Sequence, residues 1–356
     1  MQIVILGLSI TSSWGNGHAT TYRALARHLT ARGHSVLFLE RNAPWYADNR
    51  DLPKPPFAVT HLYDSVDELR SAHTADVQTA DVVIVGSYVP DGIAVGEWVT
   101  STAEGVTAFY DIDTPVTLAG LTGAGVGYIS KALIPRYDLY LSFTGGPTLQ
   151  RLEREFGARM ARPLYCSVDT GDYFPETGGA RWDLGYLGTY SDDRQPSLTE
   201  LMLEPARTLS HRRFVVAGPQ YPTAIAWPDN VTRITHLPPR DHRAFYNAQR
   251  YTLNITRADM IRAGWSPSVR LFEAAACGTP IVSDYWDGIE EFFEPGRDIL
   301  IARSAEDTES YLHDLDEDDR VGIGRRGRER VLARHTAEHR AEQLEGYALE
   351  AMQERL

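Results

Sequence analysis

The residues with the clearest chemistry lie in Gly264-Trp265-Ser266-Pro267-Ser268-Val269-Arg270-Leu271-Phe272-Glu273, which runs on to Cys277-Gly278-Thr279-Pro280. Ser266 suits a helix N-cap and Pro267 the first helical position, while Gly278 and Pro280 mark the stop. In the helix so predicted, Val269, Phe272 and Ala276 share a face toward a core. Arg270, Glu273 and Cys277 share another, at i, i+3 and i+7. A helix start with free N–H groups and the hydroxyls of Ser266 and Ser268 suits a diphosphate. Glu273, two turns in, would chelate the vicinal hydroxyls of a ribose. The plainer alternative is an Arg270–Glu273 ion pair on an amphipathic surface helix.

A second set lies in Trp14-Gly15-Asn16-Gly17-His18. The glycines let backbone approach a ligand closely. His18 falls at a helix start, where the dipole disfavours imidazolium and keeps a neutral base available. A third set is Asp111-Ile112-Asp113-Thr114-Pro115 at the end of a strand. Asp111 or Asp113 would accept a hydrogen bond from His18 and stabilise its protonated form, or would simply cap a helix opening near Pro115. The Gly15-x-Gly17 spacing with Glu40 superficially matches a dinucleotide fingerprint. Eight residues between Leu6 and Gly15 argue against it, because that fingerprint begins directly after the strand. His236, Asp241 and His242 bracket a Pro-rich turn and predict no metal site.

These sets need a scaffold of strand ends. Ile3–Leu6 reads as a buried parallel strand, followed by a helix carrying Ala19, Tyr22, Leu25, Ala26 and Leu29 on one stripe. Val36–Leu39, Val82–Val85, Val106–Tyr110 and Tyr137–Phe143 continue the series. Leu184–Leu187, Phe214–Ala217, Val231–His236, Tyr251–Ile255 and Pro280–Ser283 form a second one. Strands alternating with helices predict mostly parallel sheets covered on both faces, with ligands at their carboxyl ends. The expected organisation is α/β: two Rossmann-like, doubly wound domains over 1–168 and 169–335, facing across a cleft, and a terminal crossover helix over 336–356.

Composition narrows the function. The 356 residues carry 35 basic and 48 acidic side chains, a net charge of −13. That balance argues against a nucleic-acid binder or a polybasic membrane-surface protein. No apolar stretch approaches the roughly 18 residues needed to span a bilayer. With two cysteines, Cys166 and Cys277, and no basic n-region before the first apolar run, a reduced, cytoplasmic setting is expected. Lys54 and Lys131 are the only lysines, and neither lies at a strand end of the second domain, which argues against a pyridoxal-dependent phosphorylase.

The stretch Ser266–Pro280 resembles the nucleotide-sugar motif of GT-B glycosyltransferases. With Thr256-Arg257-Ala258-Asp259-Met260 it looks most like the CgeB-type, spore-protein-like branch of bacterial enzymes. Gly15 to Glu40 is similar to the first loop and helix of that fold. The resemblance implies a metal-independent transferase that needs no cofactor and takes a UDP-, dTDP- or GDP-sugar as co-substrate. The acceptor class stays open. The C-terminal domain would bind the donor through Gly188, Tyr190, Arg194, Arg257, Ser266, Ser268, Arg270, Glu273, Asp287 and Gly288. The N-terminal domain would hold the acceptor near Trp14, Gly15, Asn16 and Gly17, with His18 as base, assisted by Asp111 or Asp113. Trp265 stands where family members often carry a second glutamate, which favours inversion over retention. A nucleotide-sugar epimerase and a non-catalytic nucleotide-sugar binding module are the alternatives.

Overall fold

In the computed structural model, which describes residues 1–15 and 17–355, the chain divides into two α/β units. The first comprises Met1–Cys166 together with Ala337–Leu356, and the second Ser167–Thr336.

The first unit is built on β1 (Gln2–Gly7), β2 (Ser35–Arg41), β3 (Val59–Tyr63), β4 (Val82–Gly86), β5 (Val106–Asp111), β6 (Leu139–Ser142) and β7 (Ala161–Pro163). They form one parallel sheet in the order β3-β2-β1-β4-β5-β6-β7. The direction of winding reverses between β1 and β4, so the loops leaving these strands flank the crevice where such sheets bind ligands. Both faces are covered. Leu6, Val83, Val85 and Phe109 pack on one side, and Ile5, Ile84, Ala108 and Leu141 on the other. The helix Ala337–Glu354 adds Ala341, Leu344, Ala348 and Ala351 to the second layer, beside Leu25 and Leu29 of the helix His18–Ala31.

The second unit contains β8 (Trp182–Leu187), β9 (Phe214–Ala217), β10 (Val231–Ile234), β11 (Gln249–Asn254), β12 (Ile281–Ser283) and β13 (Leu300–Ile301). Its parallel sheet has the order β10-β9-β8-β11-β12-β13, with the reversal between β8 and β11.

Three strands escape the sequence reading. β3 is an edge strand whose first four residues are largely solvated, so it shows no apolar run. β7 and β13 span three and two residues, too short for any periodicity. The helix after Ser266 also differs from expectation. It runs Val269–Ala276, with Ser268 rather than Ser266 at the N-cap position. Every helical residue from Arg270 to Ala276 is buried, so Arg270 and Glu273 do not lie on a solvated face.

Candidate active site

In the first unit, the loop leaving β1 is tied down before it reaches His18. The Glu40 carboxylate, fully buried at the end of β2, accepts from Ile10 N at 2.7 Å, Thr11 N at 3.0 Å, Thr11 Oγ1 at 2.6 Å and Ser9 Oγ at 3.1 Å. Glu40 therefore holds the loop itself, and is not available to a ribose. Ser13 donates to Asp51 through N at 2.8 Å and Oγ at 2.9 Å, and Arg23 grips the same carboxylate with two 2.8 Å bonds. Beyond this anchor Trp14 is 52% exposed and Gly15 adopts φ +66°. Gly17 occupies the N-cap position of the helix His18–Ala31. Asn16 lies outside the described residues.

His18 opens that helix. Burial pushes its imidazole down to about 4, so it is neutral at physiological pH. Its Nδ1 is buried and has no hydrogen-bond partner among the described residues. The ring meets Tyr88 edge-on, with centroids 5.4 Å apart and planes at 88°.

Asp111 does not orient His18. It ends β5 fully buried, and its Oδ2 accepts from Tyr140 at 2.6 Å. Its Oδ1 accepts from Thr117 Oγ1 at 2.8 Å and Asp113 N at 3.2 Å. Burial raises this carboxyl to about 6 despite those bonds. No hydrogen bond joins it to His18 among the described residues. Asp113 stands at the N-cap position of the helix Thr114–Thr122, and its Oδ2 accepts from the Tyr88 hydroxyl at 3.0 Å.

In the second unit the donor candidates gather at the carboxyl edge of the sheet. β8 and β9 end in close approach: a Cβ at Gly218, where φ is +141°, would lie 2.0 Å from the carbonyl oxygen of Gly188. Tyr190 donates to Asp192 at 2.5 Å. Arg194 is fixed by Nε to Ser191 Oγ at 2.9 Å and Nη2 to the Thr189 carbonyl at 2.6 Å. Arg270 reaches back from its helix to the Leu187 carbonyl at 2.5 Å and Asn254 Oδ1 at 2.7 Å, with its guanidinium 5.0 Å from the Tyr186 ring centre. Arg257 lies at the N-cap position of the helix Ala258–Ala263. Burial, with the positive charges of Arg270 and Arg257, pushes the Arg194 guanidinium below its ordinary value. The three arginines thus form one focus of positive charge. Asp193 sits beside it. Against the penalty of burial, hydrogen bonds from Ser191 and Ala258 N and the charges of Arg257 and Arg194 hold its carboxyl low.

Glu273 is 6% exposed, and its Oε2 accepts from the Tyr246 hydroxyl at 2.9 Å. Tyr246 belongs to the helix Pro239–Asn247, and burial together with the nearby Glu273 charge pushes the Tyr173 hydroxyl well above its ordinary value. Ser266 is buried, and Ser268 Oγ lies 3.5 Å from Arg270 Nη1. The loop after β12 is pinned through Trp265, which adopts φ +44° and donates N–H to the Asp287 carbonyl at 2.6 Å. A Cβ at Gly288 would sit 2.5 Å from the Trp265 indole, which demands glycine there.

His242 bonds the Leu237 carbonyl at 3.2 Å and Tyr173 at 3.4 Å. Among the described residues no group of three or more His, Cys, Asp or Glu side chains is placed to hold a metal ion, and no helix is long and apolar enough to cross a membrane. Sequence reasoning missed Tyr88, Tyr173 and Tyr246. Tyr88 was within reach, because it follows Gly86-Ser87 at the end of a strand bordering the winding reversal.

Residues 194–346 match the glycosyl transferase-like family. No curated protein matches the sequence. Among solved structures, the sucrose-phosphate synthase of Thermosynechococcus elongatus superposes with a TM-score of 0.73 at 14% identity, over 98% of this chain and 99% of that one. HepE of Anabaena, in complex with UDP and glucose, gives 0.69 at 12% identity, over 98% and 100%. An alpha-glucosyltransferase in complex with UDP gives 0.71 at 10% identity, again over 98% and 100%. The chain thus has the fold of the GT-B glycosyltransferases, and the glycosyl transferase-like segment covers most of its second unit and the start of the helix Ala337–Glu354.

Proposed function

We propose that this protein is a glycosyltransferase that moves a sugar from a nucleotide diphosphate donor to an acceptor hydroxyl or amine. The observation that carries the reading is the convergence of Arg194, Arg257 and Arg270 at the carboxyl edge of the second sheet, with Glu273 one turn along the helix from Arg270. The arginines would hold the diphosphate and stabilise its departure, by charge-assisted bonds in a partly dry site. Glu273 would take the ribose hydroxyls with the carboxylate oxygen that Tyr246 leaves open. Gly188, Tyr190, Ser266, Ser268, Asp287 and Gly288 would line the rest of the donor site. UDP is the favoured nucleotide, since structural neighbours bind UDP or UDP-glucose.

The first unit would hold the acceptor beside Trp14, Gly15 and Gly17 and supply His18 as base. An imidazole kept neutral by burial, with an unsatisfied Nδ1, lacks the partner that a buried polar atom ordinarily has. The acceptor hydroxyl would be that partner, and its proton would pass to Nδ1 as its oxygen attacks the anomeric carbon and the diphosphate leaves. Such a displacement inverts configuration. Positive charge from arginines does the work a metal ion would otherwise do. The proposal includes the CgeB-like branch and a cytoplasmic setting.

A panel of UDP-, dTDP- and GDP-sugars read by thermal shift tests the reading, since a ligand that binds the folded state raises Tm. A rise with UDP-sugars is expected. No response to any of the three classes would overturn it.

A further inference from the structure

We infer that Tyr88 is a positioning residue that couples Asp113 to His18, in place of the direct histidine–carboxylate contact. This rests on the reading of His18 as the base. Three observations meet on Tyr88. Its ring makes the edge-on contact with the His18 imidazole, centroids 5.4 Å apart at 88°. Its hydroxyl donates to Asp113 Oδ2 at 3.0 Å. Its backbone is left-handed, φ +63°, a conformation costly for a tyrosine and retained where the surroundings dictate it.

The surroundings are visible. Ser87, fully buried, accepts from Ile112 N at 3.1 Å and so locks the loop after β4 to the loop after β5. On its far side Tyr88 packs against Tyr128, centroids 4.7 Å apart, and Tyr128 OH and Thr117 Oγ1 are hydrogen-bonded at 2.8 Å. The tyrosine is thus packed between His18 and Tyr128, with its hydroxyl on Asp113. His18 is held against it by the first turn of its helix.

The consequence is chemical. When His18 gains a proton it becomes a cation in a poorly hydrated place. A phenol that donates to a carboxylate takes on part of its negative charge, and negative charge carried on a ring centred 5.4 Å from the imidazole favours the imidazolium. Asp113 thus reaches His18 through the tyrosine, while Asp111 remains occupied by Tyr140 and Thr117.

The test reads the His18 imidazole directly, on the full chain without donor. Its ¹⁵N resonances are assigned by their loss in His18→Gln and followed at neutral pH. Asp113→Asn is expected to move them, and to leave them in place once Tyr88 is phenylalanine. Resonances that ignore Asp113→Asn, or that move equally with and without the tyrosine hydroxyl, overturn the inference. Turnover gives a second reading, as UDP release from UDP-glucose with water as acceptor. Tyr88→Phe and Asp113→Asn should each lower kcat about tenfold with KM unchanged, and the double variant should fall no further. A merely structural tyrosine would move KM or Tm and leave the pair additive. If His18→Gln leaves turnover intact, the base reading fails. If it abolishes turnover while Tyr88→Phe does not lower it, the Tyr88 inference fails alone.

Discussion

The Tyr246 hydroxyl donates to Glu273 Oε2 at 2.9 Å, joining the helix Pro239–Asn247 to the helix Val269–Ala276 through two buried side chains. One carboxylate oxygen is thereby held in a fixed direction, and the rotamer of Glu273 with it. Glu273→Gln should weaken UDP binding at least tenfold by titration calorimetry, because a neutral amide loses the charge-assisted acceptance of the ribose hydroxyls. Tyr246→Phe should weaken it about threefold, since the carboxylate survives but loses its orientation. Equal affinity in all three proteins would place the ribose elsewhere.

Arg194, as the proposed phosphate ligand, should distinguish a nucleotide from its nucleoside. Its bonds to Ser191 and Thr189 hold the guanidinium without neutralising it. Arg194→Gln should lower the affinity for UDP about tenfold and leave that for uridine unchanged. A parallel loss for both ligands would show a general disturbance of the site.

His18 and Asp111 give the folded state opposite pH dependences. Burial holds His18 at about 4, below the 6.5 of a free imidazole, so the unfolded chain binds more protons between those values and stability from this group rises with pH. Burial holds Asp111 at about 6, above the 3.8 of a free carboxyl, so the folded chain binds more protons and stability from this group falls as pH rises from 4 to 6. Each effect is on the order of 3 kcal/mol at most, and in the wild type they largely cancel. Urea unfolding at pH 4.5 and 6.5 should therefore show a steeper gain with pH in Asp111→Asn than in the wild type. His18→Gln should show a loss. The same slope in all three would contradict these assignments.

Gly288→Ala should cost about 2 kcal/mol by chemical unfolding, because φ is +88° and the new methyl meets the Trp265 ring. A cost near zero would mean that the Trp265 loop yields readily.

Much of the architecture is legible before any coordinates. Buried parallel strands such as Val82–Gly86 are continuous apolar runs, and the helix His18–Ala31 keeps a clean apolar stripe. The edge strand Val59–Tyr63 is not legible, since solvent takes the place of packing along most of it. Within the site, residue types in strand-end loops point to His18 and Arg194, and the spacing on the helix after Ser266 points to Glu273. Their partners did not show, because the bonds that matter join distant segments: Tyr246 to Glu273, Ser9 to Thr11 with Glu40, Tyr140 with Asp111. The Ser-Pro-Ser sequence before Val269 offers two serines as caps, and the helix takes the second. Local preference cannot choose between them once tertiary packing buries both segments.

The central claim is that a sugar nucleotide binds in the second unit, and photolabelling tests it most directly. The full chain is irradiated with 5-azido-UDP-glucose, digested, and the modified peptide sequenced. The label should fall between Ser167 and Thr336 and vanish in excess UDP. A label confined to the first unit, or one that excess UDP does not displace, would contradict it.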